Sequence, residues 1–238
     1  MKIKCDAKRL DYACGVAKQV IAKRSMLPVT QFALVTAKHG KVTICATDLE
    51  TLVSVNLDAE VEESGTCLIN PTRCQEFIKG EKGKIMVSDL DKLTTEVRSE
   101  SGGAIKMAVT DGVADMKQLS TKIGGFASTV KLPDGLGESI KTALHCVATE
   151  DSRPVLAGAS FKFTEEKLIL ASADGFRLIT VEVDHKSKET QEFIIPAKPL
   201  RLVSQYIKGN LRFACDDGHV WFIGDGITIA SQRIQGTY

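Results

Sequence analysis

Cys45-Ala46-Thr47-Asp48-Leu49-Glu50-Thr51-Leu52-Val53 and Ala171-Ser172-Ala173-Asp174-Gly175-Phe176-Arg177-Leu178-Ile179 follow one pattern. Each is an alternating strand, a turn opened by aspartate, and the start of a second strand. Two further pairs follow in the same order. Leu68-Ile69-Asn70-Pro71-Thr72-Arg73 answers to Ile194-Ile195-Pro196-Ala197-Lys198, and Phe77-Ile78-Lys79-Gly80 to Tyr206-Ile207-Lys208-Gly209. The offsets are 126 for the aspartates, 125 for the prolines and 129 for the Lys-Gly pairs. Three matches in register imply a duplicated unit of about 120 residues, within the usual size of a domain.

Each copy is expected to open with a short strand (Met1–Cys5; Ala127–Leu132) and an amphipathic helix. Asp6 is a good N-cap for the first helix, whose apolar face carries Leu10, Ala13, Cys14, Ala17, Val20 and Ile21. Asp134 plays that part in the second copy, before Leu136, Ile140, Ala143, Leu144 and Val147. A second helix begins at Asn70-Pro71 and at Pro196, where proline's missing N–H costs nothing, and ends at Gly80 and Gly209. Alternating segments such as Val42–Ala46, Ile85–Ser88, Leu93–Arg98, Phe161–Thr164, Leu168–Ala171, Leu178–Val183, Leu211–Cys215, His219–Ile223 and Thr228–Gln232 read as strands. The fold class is therefore α+β, in two tandem copies, each with two helices on antiparallel sheet. The copies occupy residues 1–123 and 126–238, divided at Gly124-Gly125.

Hydrophobic residues make up 43% and charged residues 26%, a balance able to form a core, and a net charge of +1 does not by itself announce a polyanionic partner. The charge is segregated, however. Segments 7–23, 71–82, 134–149 and 197–208 carry +3, +1, −1 and +3, so the four helices hold +6 and the rest of the chain −5. Opposite its apolar stripe the first helix shows Lys8, Tyr12, Gly15, Gln19 and Lys23, a face suited to sequence-independent phosphate contact. The same face also fits a merely solvated helix. No apolar run approaches the roughly 18 residues of a membrane span, and no secretory leader pattern is present. Seven irregularly spaced cysteines without a CxxC pair read as buried thiols in a reducing cytoplasm, with no metal site or cofactor expected.

Catalysis finds little support. The histidines His39, His145, His185 and His219 lack metal-ligand spacing, and His145 reads as exposed on a helix. Asp48 and Asp174, one from each copy, invite comparison with two-lobed aspartic proteases. Those enzymes need an Asp-Thr/Ser-Gly turn, whereas here the turns are Asp48-Leu49-Glu50 and Asp174-Gly175-Phe176. Each aspartate is expected to cap its own turn, and no enzyme activity is expected.

Thr47-Asp48-Leu49-Glu50, Ser172-Ala173-Asp174-Gly175-Phe176-Arg177-Leu178, Ile194-Ile195-Pro196-Ala197-Lys198, Arg24-Ser25-Met26-Leu27-Pro28-Val29 and the ending Arg233-Ile234-Gln235-Gly236-Thr237-Tyr238 together resemble the β subunit of bacterial DNA polymerase III, the sliding clamp family. The resemblance runs along the whole chain. It implies a DNA clamp fold with helices on an inner wall, and a processivity factor that encircles duplex DNA. It implies DNA contacts at Arg24, Arg73 and Lys198, to which the helical faces add Lys8, Lys23, Arg201 and Lys208. It also implies a hydrophobic groove at Leu156, Ala173, Gly175, Phe176, Arg177 and Leu178. There short peptide motifs of polymerase, clamp loader and repair proteins would dock, unless Leu156 and Leu178 are simply core. Phe176 stands where histidine is more usual and Ala173 where threonine is. In Glu150-Asp151-Ser152-Arg153-Pro154-Val155, Glu150 would repel phosphate, and Pro154 and Val155 cannot stack on bases. Family members close rings from three-domain chains. The two copies here imply either part of a longer chain or a trimeric ring. Two rivals stay open: a two-lobed aspartate hydrolase, and a clamp-fold interaction module without DNA binding.

Overall fold

The structure, a computed structural model, describes residues 1–22, 25–126, 128–149, 153–187 and 190–238. Lys23 and Arg24, expected at DNA, and Glu150, expected to repel it, lie outside the described residues. So does Ala127, the expected start of a strand. The chain divides into two compact units, Met1–Gly124 and Gly125–Tyr238.

The first unit begins with β1 (Lys2–Asp6) and α1 (Ala7–Lys18), where the Asp6 carboxylate accepts the Lys8 amide at 2.9 Å and caps the helix as expected. A 3-10 turn at Pro28–Gln31 leads to β2 (Ala33–Lys38), β3 (Lys41–Thr47), β4 (Thr51–Leu57), β5 (Ala59–Glu63) and β6 (Gly65–Ile69). Then come α2 (Pro71–Ile78), β7 (Lys84–Asp91), β8 (Thr94–Ser99), β9 (Ala104–Ala108) and α3 (Val113–Ser120). Asn70 caps α2 by accepting the Arg73 amide at 3.1 Å, and Pro71 fills its first turn. The strands run β5-β1-β7-β8-β9 and β4-β3-β2-β6, with every neighbouring pair antiparallel. Leu10, Ala13, Cys14 and Ala17 of α1 are buried, as are Cys74 and Ile78 of α2.

The second unit repeats the plan. It contains β10 (Val130–Lys131), α4 (Leu136–Ala143), β11 (Gly158–Phe163), β12 (Lys167–Ala173), β13 (Leu178–Asp184) and β14 (Gln191–Pro196). It closes with α5 (Ala197–Tyr206), β15 (Arg212–Cys215), β16 (His219–Gly224) and β17 (Ile227–Gln232). The order β13-β12-β11-β14 mirrors β4-β3-β2-β6, and β10-β15-β16-β17 mirrors β1-β7-β8-β9. Helices pair in both units, α1 against α2 and α4 against α5. The second core is aromatic: Phe161, Phe163, Phe193, Phe213 and Phe222 meet at centroid distances of 5.3 to 6.2 Å.

Several boundaries differ from expectation. Asp134 does not cap α4; Gly135, with a left-handed φ of +79°, occupies the cap while Asp134 pairs with Lys131 at 3.6 Å. Val20 and Ile21 lie beyond α1, and Val147 lies beyond both α4 and the 3-10 turn Leu144–Cys146. α2 and α5 stop at Ile78 and Tyr206, short of their glycines, so Lys208 sits in a turn held by the Asp225 carboxylate. The short helix α3 has no counterpart among the expected elements; of its eight residues only Met116 is buried. Six cysteines are buried, but Cys215 is exposed.

Candidate functional site

The two turn aspartates fold their turns in the same way. Asp48 Oδ1 accepts the amides of Glu50 (3.1 Å) and Thr51 (2.7 Å), while Asp174 Oδ1 accepts those of Phe176 (3.0 Å) and Arg177 (2.8 Å). In each case the following residue is left-handed, Leu49 at φ +85° and Gly175 at +90°. Asp174 also takes the Arg177 guanidinium at 2.7 Å, which together with the two amides pulls its carboxyl down to about 2. A carboxylate held ionised inside a turn cannot serve as a general acid near neutral pH. Burial pushes the Cys5, Cys45 and Cys67 thiols up to about 12, far from the thiolate a nucleophile needs. His145 is exposed, as expected, with its ring on the Thr142 carbonyl. Among the described residues no cluster of metal-ligand side chains occurs, and no helix is long and apolar enough to cross a membrane.

Basic side chains do gather on the helices. In the first unit Lys8, Arg9 and Lys18 project from α1 and Arg73 from α2, all exposed. Arg9 has an acidic neighbour, Asp58, at 3.7 Å. Lys8, Lys18 and Arg73 make no ion pair among the described residues. A depression of about 650 Å³ lies where the end of α1 meets the start of α2, lined among others by Lys18, Gln31, Asn70, Thr72, Arg73 and Glu76. Lys8 does not line it.

In the second unit Lys198 and Arg201 are exposed on α5, and Lys208 follows it with its ammonium on the Ser204 carbonyl. That contact complements the negative end of the helix. α4 offers no comparable basic face: Lys141 pairs with Glu138 at 3.9 Å. Lys18 was missed by sequence reading because it lies beside, not on, the helical stripe that includes Lys8, Gly15 and Gln19.

The residues expected to form a groove are only partly brought together. Leu156, Gly175 and Phe176 line a depression of about 390 Å³ with Ala148, Thr149 and Arg153. Phe176 is 98% exposed and Leu178 68% exposed, so neither is a core side chain, whereas Leu156 is half-buried. Ala173, Arg177 and Leu178 do not line this depression. The Ala173 amide donates to the Tyr238 hydroxyl at 2.6 Å, and the Arg177 guanidinium is spent on Asp174. Ala148 and Thr149 carried no sequence signal, being ordinary residues brought there by the chain path.

Residues 1–100 match the family model of the DNA polymerase III beta subunit, N-terminal domain, and residues 133–238 that of its central domain. The chain is 23% identical over 212 residues to a beta sliding clamp of Streptomyces coelicolor, covering 84% of this chain and 53% of that protein. It is 21% identical over 237 residues to the beta sliding clamp of Halalkalibacterium halodurans, covering 92% and 61%. Among solved structures it is similar to a putative DNA polymerase III beta subunit from Eubacterium rectale (TM-score 0.87, 18% identity, 100% of this chain and 66% of that one). It is also similar to the Helicobacter pylori beta clamp bound to a DNA ligase peptide (TM-score 0.85, 16% identity, 100% and 68%). The chain thus spans about half to two thirds of the length of the relatives it matches.

Proposed function

Because this chain belongs to the DNA polymerase III beta subunit family, carrying its N-terminal and central domains, we propose that it acts as a non-catalytic sliding clamp. On this reading it works in the cytoplasm, joins a ring by self-association, encircles duplex DNA and tethers polymerase, clamp loader and repair proteins. The observation that carries the reading is the set of exposed basic side chains on the paired helices, above all Arg73 with Lys8 on one pair and Lys198 with Arg201 on the other. Such side chains meet phosphates without reading bases, which is what a sliding contact requires. Arg24, Lys23 and Lys208 complete the proposed DNA set.

The partner site on this reading is the depression at Leu156, Gly175 and Phe176, flanked by Ala173, Arg177 and Leu178. Phe176 and Leu178 present exposed apolar area to a short peptide, of the kind the Helicobacter pylori relative binds. The hydrolase reading has lost its chemistry, since each candidate aspartate has its Oδ1 engaged by amides of its own turn.

Retention on DNA of different topology tests encirclement. The protein should stay on closed circular duplex through a high-salt wash and be released when the circle is cut. Equal retention on circular and linear DNA would overturn the proposal.

A further inference from the structure

The depression between α1 and α2 contains more than the expected Arg73. Lys18 stands on its rim, and its ammonium lies 3.5 Å from Gln75 Oε1, while Gln75 Nε2 lies 3.5 Å from the Asp11 carbonyl. The Gln75 amide therefore lies across α1 between two residues of that helix. It has room to do so because position 15 is glycine: a Cβ there would come within 3.3 Å of Gln75 Nε2.

We infer that this depression is a seat for one phosphodiester of a nucleic-acid backbone, contacted by Lys18 together with Arg73 and held in shape by Gln75 across Gly15. The inference rests on the clamp reading above and adds to it a contact residue and a positioning residue.

The charges decide the ligand class. Lys18 and Arg73 supply two positive charges, and Glu76 on the same lining supplies one negative. The net single positive charge matches a monoanionic phosphodiester. A dianion or a polyphosphate would be left partly unneutralised beside the Glu76 carboxylate. Asn70 Oδ1 accepts the Arg73 amide, so that amide is occupied and the guanidinium is the group Arg73 has to offer a ligand. Among the described residues of the second unit, Lys141 on α4 is already opposed by Glu138 at 3.9 Å and gives no counterpart. Phosphate grip by the first helix of each pair accordingly belongs to the first unit alone.

The test is fluorescence anisotropy of the full chain with a labelled duplex over a series of salt concentrations. Lys18→Gln should weaken binding about three- to tenfold at low salt and lower the salt slope by about one, and Arg73→Gln should do the same. Gly15→Ala should weaken it about twofold with Lys18 still present, while Lys141→Gln should match the wild type. Inorganic phosphate at matched ionic strength should not compete. If Arg73→Gln lowers affinity and slope while Lys18→Gln changes neither, the inference falls and the clamp reading stands. If the wild type binds no duplex, the inference falls, and the clamp reading is decided by retention on circular against linear DNA. Competition by inorganic phosphate at matched ionic strength would assign the seat to a free anion and overturn the backbone contact.

Discussion

At the scale of single residues, the turn after β3 and its counterpart after β12 use identical aspartate chemistry around different neighbours. Leu49 occupies the left-handed position that Gly175 fills in the second unit, at φ +85° against +90°. A leucine there costs about 1 kcal/mol or more relative to a relaxed conformation. Leu49→Gly should therefore raise stability by roughly 0.5–1 kcal/mol, after the entropic cost of glycine, as read from the midpoint of urea unfolding. Asp174 makes a second prediction. Its folded value of about 2 lies below the ordinary 3.8, so its stabilising contribution is full above about pH 4 and is lost as pH falls through 2. Carboxyl ¹³C titration should give a midpoint near 2, and Arg177→Gln should move it back up. Asp174→Asn should remove that part of the acid-side loss of stability. The aspartate roles were legible in sequence because an aspartate turn is a local device, closed within three residues. The left-handed leucine was not, since nothing in its side chain announces the φ that the turn imposes.

Among the secondary-structure elements, caps separated the legible helices from the rest. α1 and α2 start where Asp6 and Asn70-Pro71 said they would, because each cap accepts an amide of its own first turn. α4 starts one residue late because Asp134 finds Lys131 and leaves the cap to a left-handed glycine. α3 went unread for a simpler reason: Val113, Met116 and Leu119 stand at helical spacing, but over only eight residues, too short a run to set a helix apart from a loop. The glycine inside α1 yields a test in which two quantities move oppositely. Gly15→Ala should stabilise the helix by about 0.5–1 kcal/mol provided Gln75 swings aside, while duplex affinity falls. Buried Ile140 marks the equivalent helix of the second unit. Ile140→Ala should cost about 2–5 kcal/mol in that unit, measured as an early transition in calorimetry.

Taken as a whole molecule, a chain of net charge +1 carries exposed basic side chains on strands as well as helices, but on the first unit's strands several are matched by acids, as in Lys2–Glu62, Lys4–Glu100 and Lys84–Glu60, whereas Lys8, Lys18 and Arg73 on the helices have no ion pair among the described residues. Duplication was legible from three short matches because strand order and turn chemistry repeat with the sequence. The depression beside Phe176 was legible only in part: Phe176 and Gly175 share a turn, but Ala148 and Thr149 come from a distant stretch whose contribution depends on the fold. Phe176→Ala should leave the melting temperature unchanged, since the ring is 98% exposed, and should weaken binding of a short apolar peptide motif at least tenfold. The central claim, phosphate contact through paired basic helices, meets its most direct test in the salt dependence of duplex affinity. Wild type should be compared with a variant carrying Arg73→Glu, Lys198→Glu and Arg201→Glu. The wild type should bind unrelated duplex sequences equally, with log affinity falling linearly against log salt, and the variant should lose most of both affinity and slope. A variant that binds as tightly as the wild type, with an unchanged slope, would contradict the account.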